Sequence, residues 1–244
     1  VHGSGHGAWC WDEYFLPYFA SHGFDSYAIS LRGHGESEKV PNFKWTRVAD
    51  YVEDVRQVAA RLPSVPVVIG HSLGGLVVQK YLERSAAPAA ILIAPSPSEG
   101  MFRSAFFLPF RHPFLFSKIA LKQDYSIMFS TVGLAKRFLF SKDADEERIA
   151  GYLKRFGKES YRANIEMIFN LPDSKKIKAP MLVAGAGRDA LVSVRAVEKT
   201  ARAYGADYRI FPDIAHDMML EERWQQGRRF HPRLVEKQST MILK

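Results

Sequence analysis

Three side chains in this sequence can be combined into acyl-transfer chemistry: Ser72, His216 and Asp189. Ser72 lies in Pro66-Val67-Val68-Ile69-Gly70-His71-Ser72-Leu73-Gly74-Gly75-Leu76-Val77-Val78. A serine hydroxyl is a weak nucleophile at neutral pH and needs an adjacent base. The base in turn needs a carboxylate to fix its tautomer and stabilise its cation. His216, in Ala215-His216-Asp217, is the candidate base, and Asp189, in Gly185-Ala186-Gly187-Arg188-Asp189, the candidate acid. A bare Gly-x-Ser-x-Gly arises by chance in roughly one chain of this length in ten, so its context carries the weight. Here a β-branched run precedes the motif and a helical pattern follows it, as a serine on a sharp strand-to-helix turn requires. Such a turn crowds the backbone, hence Gly70 and Gly74 two positions either side of Ser72. It also places the hydroxyl at a helix N-terminus, where an oxyanion is stabilised.

The developing oxyanion needs two N–H donors. The amide of Leu73, next after the serine, is one. The glycine-rich turn His2-Gly3-Ser4-Gly5-His6-Gly7 offers the other, at the amide of Ser4. Each assignment has a plainer alternative. Asp189 also suits a cap for a helix starting near Ser193, and His216 suits an ordinary loop histidine. Asp213 and Asp217 are rival acids, but they are too near His216 in sequence to approach its far ring nitrogen easily. His2, His6, His34 and His71 read as structural. No Cys/His cluster has zinc-ligand spacing, and the chemistry calls for no cofactor and no metal.

Strands and helices alternate around these residues. Residues 25–31, 67–69, 89–94, 181–184 and 208–211 read as strands, and Val1-His2 as the end of another. Helical spacing covers 9–21, 48–59, 76–85 and 194–204, with a final helix over 218–224. Alternation of this kind is the signature of a mostly parallel α/β sheet, whose strand-end loops converge on one crevice. Between Pro95 and Pro172 the alternation stops, no strand is readable, and amphipathic helices cover 148–156 and 159–171. The organisation expected is a discontinuous core, 1–95 and 173–244, with a helical cap at 96–172.

The 244 residues suffice for one large domain. Apolar content of 47 % with 25 % charged residues is ordinary for a globular protein, and no apolar run approaches a bilayer span. Cys10 stands alone, so no internal disulfide forms, which fits a reducing compartment. The net charge of +8 raises the question of nucleic acid. Lys and Arg are nevertheless spread over the chain without a nucleic-acid motif, so no such partner is expected.

With these residues in place, the chain resembles α/β-hydrolase-fold enzymes of the esterase and lipase kind. The segment from His2 to Trp11 is similar to the oxyanion segment of plant methylesterases and hydroxynitrile lyases. Arg32-Gly33-His34-Gly35-Glu36-Ser37, Gly70-His71-Ser72-Leu73-Gly74-Gly75 and Ala215-His216-Asp217-Met218-Met219 match the wider superfamily, as does the chain order serine, aspartate, histidine. The resemblance implies a serine hydrolase acting on a small-molecule carboxylic ester with a hydrophobic acyl or alcohol part. It also implies an intracellular setting, cytoplasm or plastid. Hydroxynitrile lyase or carbon–carbon hydrolase chemistry on the same triad, or a ligand receptor without turnover, stays open. Against the family pattern, the first strands are not represented, and Gln226-Gly227-Arg228-Arg229-Phe230-His231-Pro232 interrupts the last helix. Lower stability than a chain carrying both features is the expectation.

Nine phenylalanines fall between Met101 and Phe140, interleaved with Arg103, Arg111, Lys118, Lys122, Lys136 and Arg137. The aromatics either line an apolar pocket facing Ser72, with the cations favouring an anionic membrane surface, or simply pack on the core with solvated charges outside.

Overall fold

In the computed structural model, which describes residues 1–225, four short strands form one parallel sheet in the order β1 to β4. In chain order the elements begin with α1 (Trp9–Asp12), α2 (Phe15–Ser21), α3 (Val48–Ala59), β1 (Val68–His71), α4 (Leu73–Leu82) and β2 (Ala90–Ile93). Five helices follow without a strand: α5 (Phe102–Arg111), α6 (Pro113–Lys122), α7 (Val132–Phe138), α8 (Glu146–Leu153) and α9 (Tyr161–Phe169). The sheet then resumes with β3 (Met181–Ala186), α10 (Val194–Ala203) and β4 (Asp207–Phe211).

The central strands are continuous apolar runs because both faces of the sheet are covered. Register aligns Ala90 with Met181 and Ile93 with Ala184. Side chains alternate between faces. Ile91, Ile93, Leu182 and Ala184 therefore join the core that includes Trp11 and Phe15, while Ala90, Leu92, Met181 and Val183 join the core under α3, α4 and α10. Capping fixes several helix starts: Asp145 accepts from the Glu147 amide, Ser160 from Ala163 and Ser193 from Ala196.

Three expected elements differ. The helix expected over 9–21 is two helices. Pro17 has no N–H to donate to the Glu13 carbonyl and its ring crowds that carbonyl, so the helix restarts at Phe15 with Pro17 in its first turn. Residues 25–31 form no strand. An apolar groove of about 360 Å³ separates this stretch from β1, so it has no ladder partner across it. At the end of that groove Val1 makes ladder-type bonds, its nitrogen donating to the Ile69 carbonyl and its carbonyl accepting from His71. The final helix is instead two 3-10 turns, Met218–Leu220 and Glu222–Gln225. Tertiary bonds win there: the Asp217 amide donates to Leu139, and the buried Glu221 carboxyl turns inward to accept from Ser141 and Ala215. The break expected at 226–232 lies outside the described residues.

Candidate active site

Ser72 stands between the end of β1 and the start of α4 with φ 52° and ψ −116°. This is a conformation a serine adopts only at a cost of about 1–3 kcal/mol. Hydrogen bonds on both sides hold it: its amide donates to the Ile93 carbonyl at 3.1 Å, and its carbonyl accepts from Gly75 and Ser96. The flanking glycines are required by contact. A Cβ on Gly70 would lie 2.5 Å from the Gly74 carbonyl oxygen, and one on Gly74 would collide with the His2 carbonyl.

His216 and Asp189 arrive from the loops after β4 and β3. The Ser72 hydroxyl lies 2.9 Å from His216 Nε2, and His216 Nδ1 lies 2.8 Å from Asp189 Oδ2. The other Asp189 oxygen accepts from the Leu191 and Val192 amides, so the carboxylate is fixed in orientation while Ser193 caps α10. The rival acids are engaged elsewhere. Asp213 accepts from Arg188, and the buried Asp217 lies 3.0 Å from His6 Nε2. His216 is itself buried. Burial is the largest influence on its pKa and disfavours the cation, but the charge and hydrogen bond of Asp189, with Asp217 nearby, outweigh it and leave the value raised above 6.5.

The turn bearing Ser4 packs directly on this centre, since a Cβ on Gly3 would meet Ser72 Cβ at 3.1 Å. Leu73 opens α4, so its N–H precedes the intrahelical ladder. Among the described residues the Ser4 amide gives no hydrogen bond within the chain. The turn is pinned on several sides. The Ser4 carbonyl lies 2.9 Å from His6 Nδ1, the Gly5 amide donates to Glu159, and the Gly5 carbonyl accepts from Gly157.

Two members of this support have roles that the sequence does not reveal. Glu159 is buried, and its carboxylate gathers the Gly5 and Ser160 amides, the Tyr51 hydroxyl and His34 Nε2 at 2.7–3.3 Å. Three of these four partners come from distant parts of the chain and the fourth is the amide of the next residue, and no local spacing announces them. Asp217 is the second. As a neighbour of His216 it looked like a rival acid, and it is the charge that bridges toward His6. Its own pKa is lowered: burial would raise it, and His6, His71 and His216 together prevail.

His71 donates from Nε2 to the His216 carbonyl at 3.0 Å, and its pKa is lowered to about 3 by burial and by the neighbouring His216. One donor atom each from His71, His216 and Asp217 falls within 4.8 Å of the others. Both ring nitrogens of His216 already serve Ser72 and Asp189, so a metal ligated there would have to displace that chain of hydrogen bonds.

The serine and histidine open onto a cavity of about 350 Å³, a size suited to a small organic ligand. Its walls are apolar, with Met101, Leu108, Ile119, Met128, Phe129 and Phe138 among them, and Ser4 and Asn164 supply polar points. Of the nine expected aromatics, Phe116, Phe129 and Phe138 line it.

A model described as the alpha/beta hydrolase family matches residues 1–227. A protein named methylesterase 15, chloroplastic, from Arabidopsis thaliana is 35 % identical over 85 residues, which is 34 % of this chain and 19 % of the relative. Norfluorocurarine synthase 1 of Strychnos nux-vomica is 30 % identical over 113 residues, 44 % of this chain and 41 % of the relative. Each match spans less than half of the plant protein's length. In three dimensions an esterase from Exiguobacterium antarcticum is similar with a TM-score of 0.75 at 19 % identity, over 98 % of this chain and 90 % of that one. The fold is that of the α/β hydrolases.

Proposed function

The chain belongs to the alpha/beta hydrolase family, and from that premise we propose that it is a serine hydrolase cleaving a carboxylic ester with a hydrophobic acyl or alcohol part. The observation that carries this reading is the hydrogen-bonded chain from Ser72 through His216 to Asp189 opening on an apolar cavity. The esterase names of similar proteins point the same way.

In this mechanism His216 Nε2 takes the Ser72 proton as the hydroxyl oxygen attacks the acyl carbon. The carbonyl oxygen becomes an oxyanion held by the Leu73 and Ser4 amides. Asp189 holds the Nδ1–H tautomer and stabilises the imidazolium. The proton passes from Nε2 to the departing alcohol as the ester C–O bond breaks, leaving an acyl-serine. Water enters and gives one proton to His216 as its oxygen attacks the acyl carbon, and His216 returns that proton to the Ser72 oxygen as the acyl–oxygen bond breaks, releasing the acid and free Ser72. Residues 96–172 act as a cap that supplies most of the apolar wall. The chloroplast named for the Arabidopsis relative supports a plastid as the compartment.

A series of p-nitrophenyl esters of increasing acyl length tests the reading. We expect turnover that improves as the acyl chain grows to fill the cavity. In Asp189→Asn it should fall by orders of magnitude, since that change favours the wrong histidine tautomer. No turnover of any ester by the folded chain, or near-normal turnover in Asp189→Asn, would contradict it.

A further inference from the structure

The α5–α6 hairpin has two apolar faces, and only one of them lines the cavity. Ala105, Leu108 and Ile119 point to the cavity above Ser72. On the outside, Phe114 is 91 % exposed, Leu121 87 % and Phe110 72 %, with Phe102, Phe106 and Phe107 also exposed. The rings of Phe102, Phe107 and Phe110 each lie within 6.0 Å of Phe106, so these four form one patch on α5, and α6 adds the exposed Phe114 and Leu121 to the hairpin. A globular protein seldom leaves a contiguous aromatic patch in water unless something covers it.

The charges around the patch identify the cover. From Phe102 to Gln123 the sequence holds no Asp or Glu. Arg111, Lys118 and Lys122 are exposed on the hairpin, and the Arg111 guanidinium sits 5.6 Å over the Phe107 ring. Asp124, the next acid, is spent capping a 3-10 turn. A second copy would set these cations against like charges. Aromatic side chains rimmed by Lys and Arg match the acyl–headgroup boundary of an anionic leaflet, where aromatics settle at the interface and cations meet lipid phosphates.

We infer that the outer face of the α5–α6 hairpin docks on an anionic phospholipid surface. Docking would set the cavity roof against the lipid, so that a hydrophobic substrate reaches Ser72 from the bilayer. The surface is separate from the proposed catalytic chemistry, and Ser72→Ala should bind as the parent does.

Vesicle flotation of the whole chain tests this, with phosphatidylcholine vesicles compared with phosphatidylcholine–phosphatidylglycerol vesicles at low and high salt. At least about tenfold more protein should float with the anionic vesicles at low salt, and salt should release it. Phe110→Ser with Phe114→Ser, and separately Lys118→Glu with Lys122→Glu, should each abolish most of that binding. Circular dichroism and hydrolysis of a water-soluble ester should be unchanged in both. The inference fails if the folded parent does not float. It fails equally if the parent floats the same on neutral vesicles, or if either double variant binds as the parent does. A dimer seen by sedimentation that the phenylalanine variant dissolves would assign the patch to a second copy and overturn it too.

Discussion

Asp217 sits one residue from His216, yet its carboxylate faces the turn bearing Ser4 through His6 rather than the far nitrogen of His216. Two buried acids thus bear on one base. Asp189 holds it by contact and charge, and Asp217 acts through space, both raising the His216 pKa against the opposing effect of burial. The sign of the consequence is fixed. His216 accepts a proton only when neutral, so kcat/KM should rise as pH climbs through its pKa, which lies above 6.5. Asp217→Asn removes a negative charge that favours the cation, so the acid limb of the kcat/KM profile should move to lower pH. A pH series on a soluble ester checks this, and an unmoved limb in the folded variant would show that Asp217 does not reach His216 electrostatically. Of these residues, Ser72 was legible because its signal is local: two glycines, a strand before and a helix after. Asp217 was legible only as a rival, because its true partner lies 211 positions away.

At the scale of elements, the segment between α8 and α9 holds the turn that bears Ser4. Glu159 takes the Gly5 amide and the His34 ring, while Ser160 beside it caps α9 and donates to the Lys44 and Thr46 carbonyls. The helices inserted after β2 therefore roof the cavity and also brace the turn on which Ser4 sits. Glu159→Gln keeps the shape but replaces an acceptor oxygen with a donor facing the donors of Gly5 or Tyr51. We expect a stability loss of about 2–4 kcal/mol, in keeping with a broken buried pair, measured by urea unfolding. Below the melting range kcat should fall about tenfold with KM nearly unchanged, because the Ser4 amide proposed to meet the oxyanion is loosened while the pocket is intact. Lower stability with normal kcat would leave Glu159 a purely structural residue. Nothing in the sequence around Glu159 pointed to this, since its role depends on the turn at the chain's start folding against it. The helix cap beside it, by contrast, is local chemistry of the familiar kind.

Across the whole molecule, the core strands were readable because a parallel sheet buried on both faces demands continuous apolar runs, as in Ala90–Ile93 and Met181–Ala186. Residues 25–31 have the alternation of a strand and do not pair, because pairing depends on what lies across the groove beside β1 rather than on the segment's own pattern. The turns after Leu220 differ from the expected helix for a related reason: Glu221 is committed to Ser141, 80 positions away. The sheet nevertheless delivers three loops to one end, where Ser72 is proposed to act as the nucleophile. The most direct test is to label the folded chain with a fluorophosphonate and map the adduct by peptide mass spectrometry. One covalent adduct is expected, on Ser72, absent from Ser72→Ala. Labelling at another residue, or labelling that persists in Ser72→Ala, would contradict it.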